Sequence, residues 1–128
     1  MLDWTIIFTF SSFGILMGIL SILGFTKKIE FFLWLGAMVA TALLLPDFIV
    51  RKYFLHAFFV GLLWGIFNSV LQSAFFPTYL KNNPQHAEQF EKAKDKGNPR
   101  VFVVFMGPII GAITGAATGG LLLLFDMI

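Results

Sequence analysis

Charged positions cut the chain into four long apolar runs separated by short polar breaks. The first runs from Trp4 to Phe25 without a charge, and the fourth from Val101 to Phe125, also without one. The second, Phe31 to Val50, holds one charge before its end, Asp47; the third, Phe54 to Leu80, holds no acid, Lys or Arg. A membrane-crossing helix needs about 20 mainly apolar residues, so each run is long enough. The pattern predicts an all-α integral membrane protein with four transmembrane helices, in one domain covering residues 1–128. The expected spans are 4–25, 31–50, 54–80 and 101–125, with a polar loop at 81–100. The second span is the least secure, because Pro46 and Asp47 can end it after about 15 residues and leave a re-entrant hairpin. The first is read as a retained span. It has Asp3 rather than basic residues before it, and it exceeds the about 7–15 apolar residues of a signal peptide.

The breaks "TKKIE" and "RKY" are short; only "KNNPQHAEQFEKAKDKGNPR" has real length. That segment reads as a short helix. Asn83 is the expected N-cap, Pro84 takes the first helical position, and Gly97 with Asn98-Pro99 stops it. Glu88 and Lys92 have the spacing and order of a favourable i,i+4 pair. Phe90 is its one large apolar residue, so the segment has no strong membrane-binding face. It reads as a solvated linker helix, with docking of a partner as the other use.

Inside the apolar runs the small residues are not scattered. Gly107, Gly111, Gly115 and Gly119 recur at intervals of four, bordered by Thr114 and Thr118. Helices in lipid gain nothing by hiding Leu from lipid tails. They associate by close backbone approach and interhelical hydrogen bonds, which favours Gly, Ala, Ser and Thr at contacts. At about 100° per residue, Ser11, Gly14, Gly18 and Ser21 share one stripe of the first helix. Gly36, Ala40 and, if the helix continues, Asp47 share a face of the second; Gly61, Gly65, Asn68 and Gln72 share one of the third. Four such faces are expected to close into a tight bundle. The slow drift of the glycine row leaves part of it free for a second molecule.

Composition agrees with the pattern. The chain is 58% hydrophobic and 12% charged, against about 25% charged in soluble domains. Its net charge of +2 is too small to point to nucleic acid, and with no Cys it has neither disulfides nor thiolate metal sites. The basic residues instead set an orientation. Lys27, Lys28, Lys81, Lys92, Lys94, Lys96 and Arg100 fall on one side, Arg51 and Lys52 on the other. The positive-inside rule puts loops 26–30 and 81–100 in the cytoplasm and both termini outside, as in a bacterial inner membrane. The bias argues against dual topology.

Polar groups at membrane depth are costly, and each calls for a partner. Asn68, Gln72, Thr114 and Thr118 lie near mid-span. They serve interhelical hydrogen bonds, the leading reading, or form a polar track for an ion or small solute. Asp47 is expected to pair with Arg51 at the interface rather than to bind a cation. Trp4, Trp34, Tyr53 and Tyr79 fit interfacial anchors; Trp64 falls mid-span and must pack inside or face lipid. Pro77 and Pro108 are expected as tolerated kinks. His56 and His86 are too far apart for a metal cluster, and no HExxH or phosphate-binding loop occurs. No catalytic constellation and no cofactor are expected. The leading functional expectation is a non-enzymatic membrane protein acting by helix packing, as a homo-oligomer or a small subunit of a larger membrane complex. The alternative is a channel or transporter using the polar track.

Overall fold

The computed structural model describes residues 2–25, 29–93 and 97–126, without the side chains at positions 85, 86, 90, 92 and 93. They form six α-helices and a 3-10 turn, and no strand occurs among the described residues. Four of the helices, one of them with the 3-10 turn appended, are long and apolar enough to cross a membrane.

Helix α1 covers Trp4–Leu23. Its start is chemically specified: Asp3 adopts extended backbone and its carboxylate accepts from the Ile6 N–H, satisfying one of the donors that a helix N-terminus leaves free. Its end is specified by Gly24, which takes φ 81° and donates to the carbonyls of Leu20 and Ser21. A Cβ there would also lie 2.7 Å from the Asn82 carbonyl oxygen. Only glycine meets both demands, so the helix stops at Leu23 although the apolar run reaches Phe25.

Helix α2 covers Glu30–Leu44 and passes into a 3-10 turn at Leu45–Asp47. Pro46 supplies no N–H, and its ring crowds the preceding turn, so the second span ends at Asp47 instead of Val50. Helix α3 covers Tyr53–Ala74. The third apolar run is not a single helix: the backbone leaves the helical region at Phe75 (φ −111°, ψ 36°), and a separate helix α4 covers Phe76–Asn82. Pro77 is the cause. It cannot donate to the turn before it, but it suits the first turn of a new helix. What the sequence suggests as a kink is a break.

Helix α5 covers Pro84–Ala93 and α6 covers Pro99–Asp126. Asn98 starts α6, its side-chain oxygen accepting from the Arg100 N–H at 3.0 Å. The tripeptide Gly97-Asn98-Pro99, expected only as a stop for α5, therefore also begins α6 two residues before the apolar run. Pro108 lies inside α6 without ending it.

Helix α3 is central. It makes the most extensive contact with α6 and the next with α1, whereas α2 lies mainly against α6 and touches α1 and α3 only slightly. Three apolar clusters fill the interior from one end to the other. Ala42, Leu45, Ile49, Ala57 and Leu122 sit at the Asp3 end, Ile7, Val60 and Trp64 in the middle, and Ile22, Phe76, Tyr79 and Val103 at the Gly24 end. Phe31, Phe32, Phe105 and Ile113 point outward, each about two-thirds exposed. In water such a surface would aggregate; against lipid tails it costs nothing.

Candidate packing seams and a polar cavity

The seam between α3 and α6 is built from backbone. Along α6, Gly107, Gly111, Gly115 and Gly119 are all buried. A Cβ on Gly115 would strike the Phe58 carbonyl, and one on Gly61 would strike the Gly115 backbone. A Cβ on Gly111 would stand 2.5 Å from the Leu62 carbonyl oxygen. Gly65 faces the Gly107 carbonyl and Gly111, while Gly107 faces the Ser69 side chain. At the far end Gly119 lies against the Phe54 ring, where a Cβ would approach to 2.6 Å. The partners descend along α3 as the glycines ascend along α6, so the two helices are antiparallel. The whole row is taken up within the molecule.

The seam between α1 and α3 follows the same chemistry with parallel helices. Gly14 lies against the Trp64 Cα, 2.8 Å from where its own Cβ would be, and Gly18 against Leu71. The Trp64 side chain is 1% exposed, and its indole N–H donates to the Phe10 carbonyl at 3.0 Å. Nearer the Gly24 end, Gln72 donates to the Ser21 hydroxyl at 3.3 Å. At the Asp3 end, the His56 ring accepts from the Asp3 N–H through Nε2 at 2.9 Å, while Nδ1 stands 2.9 Å from the Lys52 carbonyl. That pair of partners places the ring proton on Nδ1. His56 thus ties the start of α1 to α3. A lone His in an apolar run gives no such signal, because its partner is 53 positions away.

A second tie lies at the opposite end. Asn82 donates to the Ile22 carbonyl at 2.9 Å, and Asn83 donates to the carbonyls of Ser21 and Tyr79, both at 2.8 Å. At the end of α1 the Ile22 carbonyl thereby gains a donor, and the Ser21 carbonyl a second one beside the Gly24 N–H. Tyr79, in the same corner, has its phenol pKa pushed up to about 12 by burial and by the nearby Glu30 carboxylate.

The small-residue face of α2 is treated differently. A Cβ on Gly36 would meet nothing within 4 Å, and Ala40 is exposed. Gly36 and Ala40 instead line an almost wholly apolar groove of about 570 Å³ between α1 and α2, with Phe10, Phe13 and Trp64 behind it.

The four residues of the expected polar track do not form one line. Asn68 and Thr114 share a cavity of about 260 Å³ between α2, α3 and α6. Asn68 and Gln72 share a second, of about 210 Å³, between α3 and α6. Gly65, Asn68 and Ile110 belong to both walls. Thr118 borders neither of these cavities: it is fully buried, and its hydroxyl donates to the Thr114 carbonyl at 2.8 Å. The Asn68 Oδ1 is buried and has no hydrogen-bond partner among the described residues. Trp34, expected as an interfacial anchor, turns inward, its ring 5.8 Å from that of Trp64.

Asp47 closes the 3-10 turn and Arg51 lies in a bend beyond it, both exposed. The helical spacing from which their pairing was expected does not exist there. Among the described residues no group of His, Cys and acids could hold a metal ion. The Glu88–Lys92 pair, His86, Phe90 and the basic residues Lys27, Lys28, Lys94 and Lys96 fall outside the described residues or side chains. The chain matches no known family model, no curated protein and no solved structure.

Proposed function

We propose that the chain is a non-enzymatic membrane protein that acts by helix packing, as a homo-oligomer or as a small subunit of a larger membrane complex. The reading rests on one observation about α6. Its glycine row is filled by α3, yet a second small-residue row lies beside it and faces outward. Ala116 and Gly120 are exposed, Ala112 is half-buried beside them, and nothing stands within 4 Å of a Cβ on Gly120. These three are again four residues apart, flanked by the exposed Ile109, Ile113 and Leu124. A row of small side chains between branched ones on an outward face is the surface a second helix needs for close approach in lipid.

The test separates this outward row from the inner one. Gly120→Leu and Ala116→Leu each put a good helix former at an exposed position, so the monomer should fold as before. Native mass spectrometry of protein extracted in mild detergent should show a companion chain or a second copy with the parent, and its loss with these variants. A parent that is always a lone monomer, or an assembly indifferent to both substitutions, would overturn the reading.

A further inference from the structure

The cavity between α2, α3 and α6 is lined by Trp34, Met38, Trp64, Asn68, Ile110 and Thr114, among others. Its chemistry is specific. Two indole rings, the Phe31 ring and aliphatic side chains make most of the wall, and the Asn68 amide and the Thr114 hydroxyl join them among the described residues. Among the described residues no acid, Lys, Arg or His borders it, so these walls offer nothing to balance a full charge at membrane depth, where an unpaired ion is strongly disfavoured. At about 260 Å³ it exceeds the roughly 150 Å³ cavity that holds a benzene ring in an apolar interior.

The amide gives the cavity its polarity. Asn68 Oδ1 is shielded and unpartnered among the described residues, and a buried acceptor left without a donor is destabilising. The terminal amide torsion is soft and roughly two-fold, so a turn of the side chain presents either the oxygen or the NH₂ to the space beside Thr114.

We infer that this cavity is a binding site for a small, uncharged, mainly aromatic or cyclic molecule carrying one hydrogen-bonding group, with Asn68 as its polar contact and Trp34 and Trp64 as its walls. Trp64 also lines the apolar groove between α1 and α2. Leu35 and Ile110, both exposed on the outer surface, also border the cavity, which suits a ligand that dissolves in lipid. The inference is independent of assembly, since the residues that form the cavity are not those of the outward row on α6.

Two probes of nearly equal shape decide it: 4-fluorophenol, which has the hydrogen-bonding group, and 4-fluorotoluene, which lacks it. Fluorine NMR of the full chain in lipid nanodiscs reads the bound fraction of each, referenced to protein-free nanodiscs. The phenol should bind saturably, and about five- to tenfold more tightly than the toluene, the scale of one net hydrogen bond. Asn68→Leu should bring the ratio near one while the toluene still binds. Thr114→Val tests the same site should Asn68→Leu not fold, and should lower the ratio at least twofold. Absence of saturable phenol binding to the parent, or equal binding of the two probes, would overturn the proposal. So would a preference for the phenol that survives both substitutions.

Discussion

A leucine at Gly115 would have to place its first side-chain carbon inside the Phe58 carbonyl. No rotamer relieves that contact, because the Cβ position is fixed by the backbone. The helices must separate, and overpacking of this kind typically costs about 1–3 kcal/mol or more. Helix propensity works in the opposite direction, since leucine is the better helix former by just under about 1 kcal/mol. The clash should win, because backbone meets backbone on three consecutive turns, at Gly107, Gly111 and Gly115. Ile113→Leu, two residues away and two-thirds exposed, should change stability by no more than about 0.5 kcal/mol. The measurement is the fraction of folded monomer in mild detergent across the two variants and the parent. A folded, fully stable Gly115→Leu protein would mean that α3 and α6 do not meet at this glycine. The spacing of the glycines was legible in the sequence, because small residues at intervals of four have few other uses in a span. Which helix fills the groove was not, since Phe58, Leu62 and Ser69 carry no mark that distinguishes them from other positions of an apolar run.

Helix boundaries depend on single residues with strong local chemistry, and here the sequence was uneven. Gly24 and Pro46 end their helices for reasons visible in composition, but the apolar run continues past both, so hydropathy alone overruns. Pro77 breaks the third run because its missing N–H falls where α3 would otherwise continue. The result is that α4 swings its C-terminal end, Asn82 and Asn83, against the last turn of α1. Asn83→Ala removes the donor shared by the Ser21 and Tyr79 carbonyls, and Asn83 is only 2% exposed. The Tyr79 carbonyl would lose this donor and the Ser21 carbonyl would keep the Gly24 N–H, at about 1–3 kcal/mol in total if water does not reach them. The end of α1 should fray. Hydrogen exchange of the amides from Ile22 to Gly24 should accelerate about tenfold or more, with little change at Phe10 to Gly14. Unchanged exchange at Ile22 to Gly24 would show that the asparagines do not hold this corner. Asn83 read only as a helix N-cap in the sequence because the Ser21 carbonyl it reaches lies about 60 positions away.

At the scale of the molecule, two asymmetries coincide. The helices that pack most closely, α1, α3 and α6, consume their small-residue faces on one another, and α2 is left on the side with an open groove. The basic residues are equally one-sided. Seven lie in the first and third breaks and two in the second. With α1 and α3 parallel and α6 opposed to α3, the Asp3 end gathers Arg51, Lys52 and Asp126, and the Gly24 end gathers Lys81 and Arg100. If the positive-inside rule holds the basic loops in the cytoplasm, the Asp3 end is expected on the outer side. Single cysteines can be introduced without disturbing any native thiol, because the chain has none. Arg51→Cys and Asp126→Cys, both at exposed positions, should react with an impermeant maleimide in intact cells. Glu91→Cys, exposed on α5, should react only after the cells are opened. Removing Arg51 lowers the charge of the side already poor in Lys and Arg, so that variant reinforces the bias instead of testing a weakened one. Labelling of Glu91→Cys in intact cells with the other two silent would invert the orientation. A split between Arg51→Cys and Asp126→Cys would mean that α3 and α6 do not both cross, whatever their contact along the glycine seam.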